Sequence, residues 1–138
     1  MTQLIFMNTA IQQEVEFKNT TASELFDIYT NSEKHSAILG GSKANISNVE
    51  GDTFSLMNGS LTGKNLKIIP DKMIVQSWRG NIWEEDDPDS ILTLIFSDTN
   101  NGAKIEMIHA ATPEQFPDRW EEIYWTPIRK YISNKNQI

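Results

Sequence analysis

The amino-acid sequence predicts an α+β fold in which one curved antiparallel β-sheet wraps around a long C-terminal helix. Three observations predict it: an alternating segment followed by two short helical patterns, then about six consecutive strand-like segments, then a last segment of helical period. Consecutive strands usually pair with their neighbours, and a meander this long should curl. Its apolar face needs a cover, which only the last helix is large enough to supply.

The strand-like segments differ in how clearly they alternate. In residues 9–19 the apolar side chains of Ile11, Val15 and Phe17 alternate with polar ones, which is typical of a strand buried on one face. The later segments are separated by turn residues such as Gly, Asn, Asp and Pro. They cover residues 43–49, 52–57, 60–69, 72–79, 90–97 and 103–110.

Two short helices are predicted after the first strand. Thr21 or Ser23 can cap the first of them. The second runs from about Ser32 to Leu39 and ends at Gly40 and Gly41, where a left-handed residue is easily formed.

Asn58-Gly59 is the strongest short signal for a β-hairpin in the chain, because both residues tolerate the positive φ of a type I′ turn. A two-residue loop predicts three cross-strand pairs: Met57 with Ser60, Leu56 with Leu61, and Phe54 with Gly63. Leu66 and Ile68 then fall on the wrong face. We therefore expect a β-bulge near Gly63 that returns both to the apolar side.

The last helix is strongly aromatic. Its apolar residues recur at helical spacing: Phe116, Trp120, Ile123 or Tyr124, Pro127 and Tyr131. Pro127 lies inside this pattern, removes one backbone hydrogen bond and is expected to kink the helix.

Composition limits the classes of function. The 138 residues suit one domain, 1–138. The net charge of −7 disfavours nucleic acid or an anionic membrane as partner, because phosphates favour clusters of Lys and Arg. The absence of cysteine excludes disulfides, thiolate catalysis and Cys-ligated zinc. The first ten residues lack the pattern of a secretion signal, so we expect a cytoplasmic protein.

Three segments carry a family resemblance: "EGDTFSLMNGSLTGKNLKIIPDKMIVQSWRGNIW", "ILTLIFSDTNNGAKIEMIHAATP" and "RWEEIYWTPIRKYI". Their ordered motifs are the N-G-x-L-x-G hairpin, the P-x-K-x-I-V-x-x-W-R strand, a strand closed by His, and a W-x-x-x-Y-x-x-P helix. Together they resemble the C-terminal domain of the activator of the 90-kilodalton heat-shock-protein ATPase, and its bacterial single-domain relatives. The resemblance implies a START-like helix-grip fold of the SRPBCC superfamily.

Two strand ends carry the candidate functional side chains. His109 shares the inward face of its strand with Met107, because Lys104 and Glu106 should face water. His109 can then contact a ligand, or it can be a structural residue that holds the helix. Which of Trp78 and Arg79 points inward is open; an inward Arg79 would need an anionic partner.

The candidate wall of an apolar pocket consists of Trp78, Met107, His109, Trp120 and Tyr124, with Arg79 and His35 as possible polar contacts. Two histidines without cysteine or a suitably spaced carboxylate indicate no metal site. The acidic segment 84–89 fits no calcium loop and is interpreted as a solvated loop. "LGGSKA" follows a helix rather than opening one, so no phosphate-binding cofactor is indicated.

Three functions remain open. The first is a non-enzymatic domain that binds a hydrophobic small molecule between sheet and helix. The second, implied by the resemblance, is a protein-interaction module that modulates a heat-shock-protein-90-type chaperone or associates with itself. The third is an enzyme, since some START-like folds are cyclases or hydrolases, although the sequence shows no catalytic set of residues beyond one inward histidine.

Overall fold

The computed structural model describes residues 8–113 and 118–136. Its strands are β1 (Asn8–Lys18), β2 (Thr53–Leu56), β3 (Leu61–Ile69), β4 (Met73–Gly80), β5 (Ser90–Thr99) and β6 (Gly102–Pro113). Its α-helices are α1 (Ala22–Thr30), α2 (Ser32–Ile38) and α3 (Thr126–Lys135), the last directly preceded by a π-helical turn, Glu121–Trp125. The π turn and α3 together are called the C-terminal helix.

The strands form one curved antiparallel sheet in the order β1-β6-β5-β4-β3-β2, which confirms the predicted α+β helix-grip architecture. Helix α1 and the C-terminal helix pack on its concave face, and α2 packs against these two helices. Phe26 of α1 lies against Phe96 of β5, and Trp125 of the C-terminal helix lies against Phe17 of β1. The core therefore lies between the sheet and the helices, as the sequence predicts.

The two short helices begin where the sequence predicts. The Thr21 hydroxyl accepts a hydrogen bond from the Glu24 amide at 3.0 Å and so caps α1. Asn31 caps α2 in the same way, accepting from the Lys34 amide at 3.0 Å. The chain then turns back through Gly41, whose amide donates to the Ser36 carbonyl at 2.8 Å.

The predicted strand over 43–49 is wrong. Only Asn45 bridges to Ser55, so five strands rather than six follow the helices. Side chains satisfy the backbone here instead of a ladder: Asn58 Oδ1 accepts from the Lys43 amide at 2.8 Å, and Ser32 Oγ accepts from the Ile46 amide at 2.9 Å.

The β2–β3 hairpin has the predicted register, with Leu56 opposite Leu61 and Phe54 opposite Gly63. Asn58 at φ 58° and Gly59 at φ 92° have the positive angles of a type I′ turn. The third predicted pair, Met57 with Ser60, is not part of the ladder, because Met57 also has positive φ, 54°, and leaves the strand before the turn.

A β-bulge interrupts the pairing of β3 with β4 between Asn65 and Lys67, three residues beyond the predicted position at Gly63. Ile68 returns to the inner face and packs against the core, as predicted. Leu66 does not: it is the bulged residue and is 44% exposed. Buried Asn65 explains the position, since its amide group donates to the carbonyls of Ser47 and Val49 at 3.0 Å each.

Just before Pro127, a π turn interrupts the regular hydrogen-bond pattern of the C-terminal helix. Pro127 cannot donate to the carbonyl four residues earlier, and the Thr126 amide donates to the Glu121 carbonyl five residues back. The extra residue in this turn lets both Tyr124 and Trp125 face the sheet, at 2% exposure each. Phe116, the first residue of the predicted pattern, lies outside the described residues.

Candidate functional site

Trp78, rather than Arg79, points into the space between sheet and helix. The Trp78 side chain is 3% exposed. Arg79 lies on the opposite face, where its guanidinium donates to the carbonyls of Asp87 and Glu84 at 2.7 Å each and pairs with Asp89 at 3.1 Å. Arg79 therefore organises the acidic loop 84–89 and makes no contact with the interior.

The interior between β4 and the C-terminal helix is a stack of aromatic rings. Trp120 stacks on Trp78 with ring centroids 5.3 Å apart, and on Trp125 at 5.3 Å. Tyr124 lies 4.9 Å from the Trp120 ring. These buried rings pack directly against one another and form one continuous apolar surface.

An apolar cleft of about 140 Å³ remains between this stack and the β2–β3 hairpin. Hairpin and helix side chains form its walls, and it is open to solvent on one side. The residues that line it are Met57, Leu61, Trp78, Arg119, Trp120, Ile123 and Tyr124. Three of the five predicted wall residues are therefore brought together in one cleft.

Met107 and His109, the other two predicted wall residues, do not line the cleft. Both are fully buried behind the tryptophans, and the His109 ring meets Trp78 edge-on at 5.1 Å. His109 Nε2 lies 2.8 Å from Ser90 Oγ, whose hydroxyl also contacts the Trp78 carbonyl at 3.2 Å. Burial lowers the pKa of His109 to about 4, so its ring is neutral at pH 7.

His35 supports the cleft from behind rather than contacting it. Its Nδ1 lies 2.6 Å from the Tyr29 carbonyl, which can only accept, so Nδ1 carries the proton. Its Nε2 then accepts the Tyr124 hydroxyl at 3.0 Å. Burial lowers the pKa of His35 to about 4. It also raises the pKa of Tyr124 well above its usual range, so both groups are neutral and fixed.

A buried polar network holds Trp78 in place. Gln76 Oε1 accepts from the Trp78 indole at 2.9 Å and from the Tyr29 hydroxyl at 2.8 Å. Its amide nitrogen donates to Asn65 Oδ1 at 2.8 Å, and Asn65 anchors the bulge. Sequence reasoning missed this network. In a strand where apolar and polar residues alternate, Gln and Asn side chains are expected to face solvent, so inward positions for both were not considered.

Arg119 is the one charged residue in the cleft wall, and it pairs with Glu122 at the rim. Sequence reasoning did not identify Arg119 as a wall residue, nor the three other wall residues Met57, Leu61 and Ile123. The signal was available: Arg119 and Ile123 lie four residues apart within the predicted helical pattern, and the hairpin pairing places Leu61 beside Leu56.

Within the two described ranges, no group of three His, Cys, Asp or Glu side chains is placed to hold a metal ion. No helix in the same ranges is long and apolar enough to cross a membrane.

The chain is similar to curated activators of a heat-shock ATPase. It is 28% identical over 115 residues to "Activator of 90 kDa heat shock protein ATPase homolog 1" of Homo sapiens, and 31% identical over 120 residues to the homolog of Dictyostelium discoideum. These alignments cover 80% and 83% of this chain, and 33% and 31% of the two relatives. The chain thus spans about a third of the length of the curated relatives it matches.

Solved structures share the fold. The crystal structure of an HSP90 activator from Plasmodium falciparum matches with a TM-score of 0.75 at 21% identity, covering 93% of this chain and 97% of that one. A protein from Mesorhizobium loti gives 0.75 at 14% identity, with 94% and 100% covered. A family model described as "Activator of Hsp90 ATPase homolog 1-like protein" matches residues 19–132. Since that match takes in most of its length, the chain belongs to the Activator of Hsp90 ATPase homolog 1-like family.

Proposed function

We propose that this chain is a non-enzymatic binding domain that takes a small hydrophobic molecule in the cleft between the β2–β3 hairpin and the C-terminal helix. The observation that carries the proposal is the cleft itself, which is walled by three aromatic rings and three aliphatic side chains and open on one side. Such apolar concave surfaces are typical of small-molecule sites.

The size of the cleft limits the ligand. Its volume of about 140 Å³ is below the ~300–1,000 Å³ of pockets for drug-sized molecules. A cavity of ~150 Å³ can hold benzene. The ligand that fits is therefore a single ring or a short branched chain, not a sterol or a long acyl chain.

The polar groups behind the cleft limit its chemistry. The Trp78 indole nitrogen donates to Gln76, and the Tyr124 hydroxyl donates to His35, so neither is available to a ligand. A buried polar group on the ligand would lose its hydrogen bonds to water without replacement. We therefore expect an apolar buried part, with any anionic group at the rim beside Arg119.

The same contacts favour binding over catalysis. His35 and His109 are neutral, engaged in hydrogen bonds and separated from the cleft by aromatic rings. A general acid or base must come within hydrogen-bond reach of the reacting group. Neither imidazole meets this condition for a molecule in the cleft.

Toluene is a suitable probe for a titration followed by NMR of ¹³C-methyl methionine. Met57 lines the cleft, Met107 is buried behind it, and Met73 lies on the opposite face of the sheet. We expect saturable shifts at Met57 and none at Met73. Ile123→Trp should fill the cleft and abolish the shifts, whereas Ile82→Trp, at an 87% exposed loop position, should not. Equal, non-saturating shifts at both methyls would contradict the proposal.

A second candidate function is modulation of a heat-shock-protein-90-type ATPase. The observation that favours it is the family, since the curated relatives named above are activators of that ATPase. The test is the ATPase rate of the heat-shock protein 90 from the same organism, measured with and without this chain. A rate that stays unchanged at saturating chain concentration would reject this role.

A further inference from the structure

The convex face of the sheet, opposite the helices, carries an apolar patch. Among the outward side chains of β4 and β5, which also include Ser77, Arg79, Thr93 and Ser97, four are apolar and half-buried: Met73, Val75, Ile91 and Ile95. A sheet with one solvent face normally alternates apolar with polar residues. Here apolar side chains lie on both faces of both strands.

The pairing register joins these side chains into one patch. Val75 lies opposite Thr93, and Thr93 lies opposite Ile108, which is 40% exposed. In the next row, Met73 lies between Ile69, 38% exposed, and Ile95. The convex patch consists of Ile69, Met73, Val75, Ile91, Ile95 and Ile108. Contiguous apolar surface of this kind marks an interaction site.

Charges flank the convex patch asymmetrically. On the β1 side the outward residues Glu14 and Glu16 are acidic, as is outward Glu106 of β6 opposite Glu14, while outward Lys104 lies opposite Glu16. On the β3 side the outward residues Lys64 and Lys67 are basic. Their ion pairs within the chain are long and exposed, 3.7 Å from Glu14 to Lys104 and 3.9 Å from Lys67 to Glu50, so these charges remain accessible to a partner.

A surface with an apolar centre, an acidic side and a basic side complements itself. A two-fold axis in the plane of the interface can place the acidic side of one copy over the basic side of the other. Along the direction of the strands, Lys64 and Lys67 lie toward one end of the convex face, and Glu14 and Glu16 lie toward the other end. The match therefore needs a large crossing angle between the strands, nearer to the orthogonal class of sheet packing than to the aligned class.

We propose that the convex patch binds a second copy of this chain face to face, with Glu14 and Glu16 of each copy opposite Lys64 and Lys67 of the other. The contact is small, since two convex faces touch only along their middle strands. A patch of ~300–600 Å² lies below the ~800 Å² per partner of a standard stable interface, so the dimer is weak. It leaves the cleft on the opposite face open.

Sedimentation equilibrium from about 10 µM to about 1 mM protein tests the apolar part of the proposal. The average mass should rise from 15.7 kDa toward twice that value. Ile108→Lys places a charge at the interface of both copies and should weaken association at least tenfold. Ile82→Lys makes the same change in a loop and should leave association unchanged. A mass of one chain at every concentration would overturn the proposal. The proposal would also be overturned if Ile108→Lys lowered the melting temperature without altering association. That result would mean that another part of the chain covers the convex patch.

Charge reversal tests the orientation. Glu14→Lys with Glu16→Lys makes both flanks basic, and Lys64→Glu with Lys67→Glu makes both acidic. Each double variant alone should stay a single chain where the unaltered protein is half dimeric, and their equimolar mixture should associate again. Glu85→Lys with Asp86→Lys, which changes net charge as much as Glu14→Lys with Glu16→Lys but in the exposed loop, should stay half dimeric on its own. If the mixture of the two interface variants associates no better than either of them alone, the proposed two-fold arrangement is wrong.

Discussion

Trp120 is the residue on which both the core and the cleft depend. It is 4% exposed, stacks between Trp78 and Trp125, and forms part of the cleft wall. Its position was predictable, because an apolar residue at the start of an amphipathic helix must face the sheet. The stacking partners were not, because ring geometry depends on the extra residue that the π turn inserts before Thr126.

Trp120→Ala should lower the free energy of unfolding by about 3–5 kcal/mol, because it removes two stacking contacts and leaves a cavity. Urea unfolding followed by circular dichroism measures this change. Ile82→Ala, at an exposed loop position, is the control and should change stability by less than about 0.5 kcal/mol. A Trp120→Ala protein as stable as the control would show that the ring is not buried.

The two buried histidines make stability depend on pH. Their folded pKa values are lowered to about 4 from an unfolded value of 6.5, so the unfolded chain binds more protons between these values. Their contribution is complete above pH 6.5, falls as pH decreases toward 4, and changes no further below 4. Between pH 7 and pH 5, each imidazole should lower the free energy of unfolding by about 2 kcal/mol.

Urea unfolding at pH 7 and at pH 5 measures this loss. His35→Gln lowers stability at both values, but it should remove about half of the difference between them. An unaltered difference would mean that His35 is not buried in its neutral form.

Alternate side chains of a strand reach the interior, and the sequence did not decide which set of β4 side chains does so. Ile74 and Trp78 share one face and Val75 and Arg79 the other, and both faces of the segment are apolar. In the structure Trp78 faces inward and Arg79 outward, and inward Gln76 accepts a hydrogen bond from the Trp78 indole. A buried amide on the inner face conflicts with the simple alternating pattern, so composition alone could not have ranked the two orientations.

At the scale of elements, the hairpin and its bulge set the shape of the cleft. Turn chemistry predicted the register of β2 with β3 because Asn58-Gly59 fixes the loop. It could not place the bulge, which depends on Asn65 reaching carbonyls in the segment before β2. That segment, 43–49, is a predicted strand, yet side-chain hydrogen bonds satisfy the Lys43 and Ile46 amides in place of a ladder.

Gly63 is required for close packing rather than for a bulge. A Cβ there would lie 1.8 Å from the Ser77 carbonyl and 2.5 Å from the Phe54 ring. Gly63→Ala should therefore destabilise the protein by roughly 2 kcal/mol or more, through overpacking. Thr62→Ala, its outward neighbour, should change stability by less than about 0.5 kcal/mol. Thermal unfolding of both variants is the measurement, and equal melting temperatures would contradict the close approach.

At the scale of the whole molecule, the order of elements was enough to predict the architecture. A strand, two helices, a meander and an aromatic helix leave few ways to bury every apolar face. The size of the interior was not predictable. The sequence suggested a pocket reaching Met107 and His109, but the stacked tryptophans occupy that space and leave only the smaller cleft at the hairpin.

We expect the two faces of the sheet to have separate roles. The concave face holds the helices and the cleft, and the convex face carries the apolar patch between acidic and basic flanks. Ligand binding and self-association should therefore be independent. The affinity for toluene should be the same, within twofold, in the Ile108→Lys variant and in the unaltered protein, as measured by the Met57 methyl shift. A larger change would mean that the two faces are coupled.

Ligand binding in the cleft is tested most directly by a crystal of this protein soaked in bromobenzene, with bromine located by its anomalous scattering. We expect a bromine peak in the cleft, within van der Waals distance of Leu61 and the Trp120 ring, and no such peak in Ile123→Trp crystals. An empty cleft in crystals that carry bromine elsewhere would contradict it.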